Sequence, residues 1–380
     1  MAEQESLSDV DRKIRLVALG DIILSRPPHD PNNGLFGIIS SADVATGNLE
    51  FTLTGDRAPN EKLIALRADP KVAGDIAAWG VNVLSLANNH AMDFGTAGLL
   101  DSIAAVKAAG MVPVGAGDTL EQSLDPHIIE IGGSRIAFFG ISTHLPTASA
   151  ASSRRAGIAP VRISNRYLID PITLGETPGM APYVQTEVVT DDLERLCAAI
   201  CDVSQRSDLV VVNIHWGVPL GWTALHQNEL ADYQRPLAHA AIEAGASVII
   251  GHGPHVIQSV EFHRNSPILY SIGNFIMHDI LPETAASAGA FPNYEWDSLR
   301  TFWNSIGCIA QLAWRNPQEL PTVELLITKL DDNGESRAAS SDDARQLHER
   351  LAQPSGKVGT LVELRQIDGY WSLAFRPLKH

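Results

Sequence analysis

Residues 209–217, Leu209-Val210-Val211-Val212-Asn213-Ile214-His215-Trp216-Gly217, carry the pattern that sets the fold class. A short, unbroken run of β-branched and aliphatic residues is the mark of a strand buried on both faces, as in parallel sheets. A helical stretch with an acidic first turn, Asp191 to Gln205, precedes the run, and a histidine ends it. The pattern recurs downstream, where Glu229 to Ala244 reads as a helix stopped by Gly245. The buried-type strand Ser247 to Ile250 follows, and after it come His252 and His255. Upstream, Ile14 to Leu24 is a β-branched run carrying Gly20-Asp21. Asp69 to Trp79 reads as a helix, Val81 to Leu86 as a strand, Thr96 to Ala109 as a helix capped by Gly110, and Ile136 to Ile141 as a strand. Strands alternating with helices in this way predict an α/β layered domain.

Towards the carboxyl terminus the rhythm changes. Val256 to Phe262 and Pro267 to Ile272 read as antiparallel strands joined through Arg264-Asn265. After Ser305 come the strands Gly307 to Trp314 and Thr322 to Leu330, a helix near Asp342 to Leu351, and a closing strand pair. Two stretches rich in small residues and proline, Thr143 to Tyr183 and Asp279 to Asn293, predict loop insertions near 143–183 and 276–300. Loops of that length in a compact domain are functional lids or linkers as a rule. No internal repeat is visible, and a single domain over residues 10–380 accounts for the pattern.

Composition narrows the function. Of 380 residues, 45% are hydrophobic and 19% charged, ordinary for a chain with a large core. The net charge of -16 argues against a nucleic-acid footprint, which needs a basic face, and against docking on anionic lipid. The three cysteines, Cys197, Cys201 and Cys308, do not make a disulfide framework and suit a reducing compartment. Residues 1–6 are polar and acidic, without the basic start and apolar run of a secretory signal. No apolar run reaches the roughly 20 residues of a membrane helix. A cytoplasmic protein with neither membrane nor nucleic-acid partner is the expectation.

Chemistry follows from where the polar residues fall. Asp21, Glu50, the trio Asn88-Asn89-His90, His215, and the pair His252 and His255 each follow or end an apolar run. The carboxyl ends of parallel strands are where open α/β sheets place their sites. Carboxylates, an amide oxygen and imidazoles form a mixed oxygen and nitrogen donor set, suited to Mn, Zn or Fe rather than Ca. A metal there lowers the pKa of bound water and polarises the bond under attack. His90 is placed to give a proton to a leaving group.

These residues resemble a family. Gly47-Asn48-Leu49-Glu50, Ala87-Asn88-Asn89-His90 with Asp93 and Gly95, and His215-Trp216-Gly217 carry the likeness, with Gly251-His252-Gly253-Pro254-His255-Val256 and Tyr270-Ser271-Ile272-Gly273-Asn274-Phe275. In this order, from Ile14 to Phe275, they are similar to the poly-gamma-glutamate capsule-synthesis, CapA-like branch of the calcineurin-like metallophosphoesterases. The resemblance implies a four-layer α-β-β-α sandwich with one or two divalent metals at one edge. It implies that Glu50 bridges, that Asn89, His215 and His252 complete one site, and that Asp21 and His255 belong to a second. The parent pattern has a histidine where Ile23 stands, so that second site lacks a ligand. Pro219 stands where many members carry an acid, which leaves the substrate open.

Further residues have two readings each. Asp93 either caps the helix beginning near Thr96 or works beside His90 in catalysis. Asn274 either makes a turn or serves the site, where it would meet substrate or ligands. Arg67 either holds a substrate anion or pairs with a surface carboxylate. His144 and His278 enter the long loops and are candidates to line the pocket. Trp216 and Trp222 are either core or walls of the cleft. Three functions compete. The first is hydrolysis of a phosphoester or of an acyl bond (amide, lactam or lactone, including a γ-glutamyl bond) in a small or peptide-like substrate. The second is an accessory part in poly-gamma-glutamate synthesis or export, and the third non-catalytic metal binding. An export part calls for a membrane tether, and a purely structural metal site has no use for His90.

Overall fold

The computed structural model describes residues 14–30, 33–55, 58–62, 64–177, 183–217, 229–278 and 302–378. Two sheets form its centre. Around the first strand, Ile14–Ile23, the larger sheet adds Val44–Leu49, Val83–Ser85 and Val112–Val114 in parallel on one side. On the other side Ile306–Trp314, Thr322–Leu330, Tyr370–Pro377 and Thr360–Ile367 run antiparallel in turn. The second sheet has the order Val260–His263, Ser266–Leu269, Val248–His252, Leu209–His215, Ser134–Ser142, His127–Ile131. Its central strands are parallel and an antiparallel hairpin closes each edge.

The period-two alternation of side chains explains the layering. Leu16 and Ala18 of the first sheet meet Phe138, Val211 and Ile250 of the second in one buried cluster between the sheets. The intervening residues face outward. Val17, Leu19 and Leu84 pack against Leu35, Ile39, Val72, Ile76 and Val106, which come from the helices Gly34–Ser40, Val72–Ala78 and Gly95–Ala108. Phe139, Val210, Val212 and Ile249 pack against Leu196, Ile200, Leu237 and Ala241 of the helices Thr190–Ser204 and Gln234–Glu243. Helix, sheet, sheet, helix is the expected four-layer sandwich. The helix Ser341–Lys357, which starts with a capping box between Ser340 and Asp343, adds Ala344, Leu347 and Leu351 to the inner cluster.

Several expectations are corrected. The stretch 143–183 is not a structureless loop. It contains Gly157–Ile158, paired with Ala116–Gly117, and Ile163–Leu168, which forms a ribbon with Tyr183–Val188. The helix expected from Asp69 begins at Val72, because the Asp69 side chain accepts the Lys71 N–H at 2.9 Å and makes a turn first. The helix expected from Glu229 begins at Gln234. The second expected insertion falls almost wholly on residues 279–301, outside the described residues. Among the described residues no helix is long and apolar enough to cross a membrane.

Candidate metal centre

Strand register builds the site. In the first sheet Asn274, Asp21, Asn48 and Ser85 form one lateral row of Cα partners across four strands. In the second sheet His252, His215 and Ser142 form the corresponding row. The two rows come together at one edge of the sandwich. Gly20 lets the chains close in: a Cβ there would stand 2.2 Å from the Gly273 carbonyl oxygen, and the next residue, Asp21, donates its N–H to that oxygen at 2.9 Å.

Asp21, Glu50 and His215 are buried and bring one ligand atom each within 4.8 Å of one another, an arrangement able to hold a metal ion. His215 Nε2 lies 3.8 Å from Glu50 Oε1, and His255 Nε2 lies 3.6 Å from the same oxygen. Asp21 stands against both remaining imidazoles, 3.4 Å from His252 Nδ1 and 3.2 Å from His255 Nδ1. It therefore touches members of both expected ligand sets. Asn48 was not expected to take part, yet its amide donates to Asp21 Oδ1 at 2.8 Å, lies 3.4 Å from Glu50 Oε2, and sits 3.3 Å from His215 Nδ1. An asparagine buried in an apolar strand was the available signal.

Four buried atoms in this group have no hydrogen-bond partner among the described residues: Glu50 Oε1, Asn89 Oδ1 and both ring nitrogens of His252. Buried polar atoms are rarely left so without a ligand, ion or water to meet them. Asn88, by contrast, is spent on structure, donating to Asn48 Oδ1 and the Leu49 carbonyl and accepting the His90 N–H. The buried Asp21, Glu50 and His215 donors could thus hold a metal ion, with His252 and His255 standing against Asp21 beside them.

Charge points the same way. Burial pushes the Glu50 carboxyl well above the usual range, and the Asp21 charge adds to it. Burial also acts upward on Asp21, but the contacts and charges of His252 and His255 outweigh it and hold Asp21 well below that range. Burial acts downward on His255, yet the Glu50 charge and the Asp21 and Asn274 contacts raise it to about 10. Burial holds His215 well below its ordinary value. Burial thus works against the ionised form of both carboxyls, and a bound cation would favour it.

The backbone around His255 is strained to deliver it. His255 has φ 56, a left-handed conformation uncommon outside glycine. Asn274 holds it there, with Oδ1 2.9 Å from His255 Nδ1 and Nδ2 donating to the His255 and Asn304 carbonyls. Asn274 is fully buried, and both ends of its amide are in use. Gly253, at φ +100, makes the preceding turn, where a Cβ would stand 2.2 Å from the Trp216 carbonyl oxygen.

Beside the cluster lies a second constellation. His90 Nδ1 is 2.7 Å from Asp93 Oδ2, which also accepts the Leu66 N–H at 2.7 Å. Asp93 does not cap the helix Gly95–Ala108. Its N-cap position is Phe94, with no side-chain cap bond, so the capping reading is corrected. Lys62, absent from the expected set, contacts Asp93 Oδ1 and donates to the Asn89 carbonyl at 2.6 Å. It directly follows the stretch Ala58-Pro59-Asn60-Glu61, which reads as a solvated loop. Burial lowers His90 below its ordinary value, with the Asp93 charge working against that. His144 joins the pocket, its ring 6.3 Å from that of His215. Burial, then the charges of His90, Lys62 and His255, press it down to about 4.

Other expected residues lie elsewhere. Trp216 is fully buried and packs edge-on against Tyr233, 5.8 Å between centroids, in the outer core of the second sheet. It is therefore core and not a cleft wall, and Trp222 lies outside the described residues. The Arg67 guanidinium lies 6.0 Å from the centroid of the Phe94 ring. His278 is buried away from the cluster, 3.6 Å from Glu335.

Comparison with known proteins gives the family. The family described as bacterial capsule synthesis protein PGA_cap matches residues 15–279. The chain belongs to that family. PGA_cap proteins form part of the metallophosphoesterase-like superfamily. The capsule biosynthesis protein CapA of Bacillus anthracis is 28% identical over 291 residues, covering 73% of this chain and 63% of that protein. A probable polyglutamine synthesis accessory protein of Mycobacterium tuberculosis is 30% identical over 242 residues, 62% of this chain and 56% of that one. An uncharacterized protein of Sinorhizobium fredii is 26% identical over 326 residues, 74% and 69% of the two chains. A hypothetical protein from Thermus thermophilus superposes with a TM-score of 0.42 at 16% identity, over 85% of this chain and 96% of that one.

Proposed function

We propose that this PGA_cap protein is a metal-dependent hydrolase of an acyl bond of the γ-glutamyl amide type. The observation that supports hydrolysis is the His90–Asp93 pair beside a buried carboxylate and imidazole cluster with unpartnered donor atoms. A bound divalent metal would supply Lewis acidity and a water of lowered pKa. The chain's own residues do the rest. Asn48 and Asn274 orient the donors. With its Nδ1–H held by Asp93, His90 can take up at Nε2 the proton that the attacking water releases and, as the imidazolium, pass it to the departing amine or alkoxide. His144 narrows the pocket beside His215.

The choice of an amide over a phosphoester rests on the names of the relatives, which concern capsule and polyglutamine synthesis. Those names also support a second reading, an accessory part in polyglutamate assembly without turnover of its own. Elemental analysis followed by a screen of γ-glutamyl amides, lactams, lactones and phosphoesters decides between them. Turnover that H90A abolishes supports the hydrolase. A metal-loaded protein inert on every class favours the accessory reading, and activity confined to phosphoesters overturns the amide assignment.

A further inference from the structure

The geometry points to Lys62 as the residue that positions His90, acting through Asp93. This inference rests on His90 being the proton carrier of the proposed hydrolase.

The strap that carries Lys62 is bolted to the turn that carries His90. Asn60 donates its backbone N–H to the Asp93 carbonyl at 2.7 Å and its side-chain amide to the Met92 carbonyl at 2.7 Å. Lys62 then reaches over that turn to the Asn89 carbonyl at 2.6 Å and to Asp93 Oδ1. An ammonium has three donors and no acceptor. Two of them are used on these oxygens. The third faces His90 Nδ1 at 3.3 Å, but that nitrogen already lies 2.7 Å from Asp93 Oδ2. An ionised carboxylate only accepts, so the Nδ1 proton belongs to Asp93, and Lys62 makes no true bond to the ring.

The consequence is a fixed division of labour. Asp93 is wholly buried and Lys62 about one quarter exposed, at 23% of its side chain. One Asp93 oxygen is pinned by Lys62 and the other by the Leu66 N–H. With both oxygens held, the carboxylate cannot rotate, and it presents one acceptor in one direction. The His90 ring is thereby held with its Nδ1–H on Asp93, and Nε2, which has no partner among the described residues, is the nitrogen left to gain and give a proton. Lys62 also holds the carbonyl of Asn89, whose side-chain oxygen is unpartnered. With two of its three donors spent on the Asn89 carbonyl and on Asp93, Lys62 acts as a positioning residue.

K62M keeps the stem and removes the donors; K62R restores charge and donors. Partners of this kind around a reacting or ligating histidine are worth about 10- to 100-fold. In steady-state kinetics on whichever substrate the screen returns, K62M is expected to lower kcat by about that factor with KM little changed. K62R should recover part of the loss. If Lys62 acts through Asp93, then K62M added to D93N should cost far less than K62M alone.

A readout independent of turnover comes from the metal-free protein, labelled with 15N at histidine and assigned with H90Q. Wild type should show a protected Nδ1–H signal for His90. K62M should lose it to exchange, and K62R should return it. An unchanged His90 signal and unchanged kcat in K62M overturn the proposal. So does full additivity of K62M with D93N, or a K62M loss that lies wholly in KM. Should K62M fail to fold, the same measurements on K62Q and K62R carry the decision. Should no substrate be found, the NMR arm still tests Lys62 while the hydrolase reading falls.

Discussion

At the residue scale, two neighbouring side chains, Asn89 and His90, take different roles. Asn89 and His90 lie in a turn, where His90 Nδ1 is engaged by Asp93 while the Asn89 side-chain oxygen is left without a partner among the described residues. H90A should keep its metal and lose about 10²- to 10⁴-fold in turnover, the usual worth of general acid catalysis. The loss should shrink for substrates with good leaving groups, and a rate lost equally on every substrate would show a scaffold role instead. H215A and H252A should behave oppositely and lose bound metal by elemental analysis; full retention in both would overturn the ligand assignment. The candidates Asp21, Glu50, Asn89, His215, His252 and His255 were legible in the sequence as polar residues at the ends of apolar runs, and the structure brings Asp21, Glu50 and His215 together with His252 and His255 against Asp21. Asn48 was hidden inside its strand and Lys62 inside a polar loop, since neither position differs locally from an ordinary buried turn or solvated lysine. Asn274 and Asp93 were legible as site residues, but their roles depend on partners 19 and 3 residues away in sequence, which only the packed structure identifies.

At the scale of elements, the buried strands are the best-read features because their apolar runs have no competing helical period. Leu209–His215 and Val248–His252 extend the expected strands by one residue and by two, carrying the histidines into the sheet. Element ends and the 143–183 stretch read less well, since side-chain turns such as that of Asp69 and a ribbon of mixed polarity leave no periodic signal. The hairpin at the edge of the second sheet is legible in Arg264-Asn265, which take φ 48 and φ 66 and make the tight turn between Val260–His263 and Ser266–Leu269. That hairpin is tied to the helix Gln234–Glu243 by Glu261. Glu261 accepts two bonds from Arg235 at 3.0 and 2.8 Å and one from the Tyr270 hydroxyl at 2.8 Å. Burial acts to raise the Glu261 carboxyl, but these partners outweigh it and lower it below the ordinary value. A depressed folded value means that the stabilisation is fully present above the unfolded pKa of about 4.3 and is lost as pH falls through the folded one. E261Q should therefore lower stability near neutrality by about 1–2 kcal/mol and flatten the acid limb of the unfolding profile. An acid limb as steep as that of wild type would show that Glu261 is not the titrating group. In the same spirit, Gly253→Ala should cost metal affinity before it costs the fold, since the clash with the Trp216 carbonyl falls on the turn between His252 and His255. Equal loss of both would argue that the turn is a structural keystone.

At the scale of the whole molecule, the donors are divided between two sheets that have no strand in common. Asp21 and Glu50 come from the first sheet and the loop after its second strand, His215 and His252 from the ends of second-sheet strands. Between the sheets the sandwich is held by apolar packing, and at this edge that packing gives way to buried charge. Burial leaves the Glu50 carboxyl raised well above its usual range, while His252 and His255 hold Asp21 below it, so a cation bound between the sheets would stabilise the ionised Glu50 at this edge. A ligand that binds only the folded state stabilises by RT ln(1 + [L]/Kd), about 2.7 kcal/mol at a hundredfold excess over Kd. Adding Mn or Zn to chelator-treated protein should therefore raise the calorimetric midpoint by several degrees, with the shift growing as metal concentration rises. The H215A/H252A double variant removes the second-sheet donors and should show no such shift. E50Q tests the charge argument separately. It abolishes the cost of a buried ionised carboxylate, so the metal-free variant should melt at or above metal-free wild type while gaining less from added metal. A metal-free E50Q that melts well below wild type would mean that Glu50 is already satisfied without a cation, and the cross-link between the sheets would have to be sought in other residues.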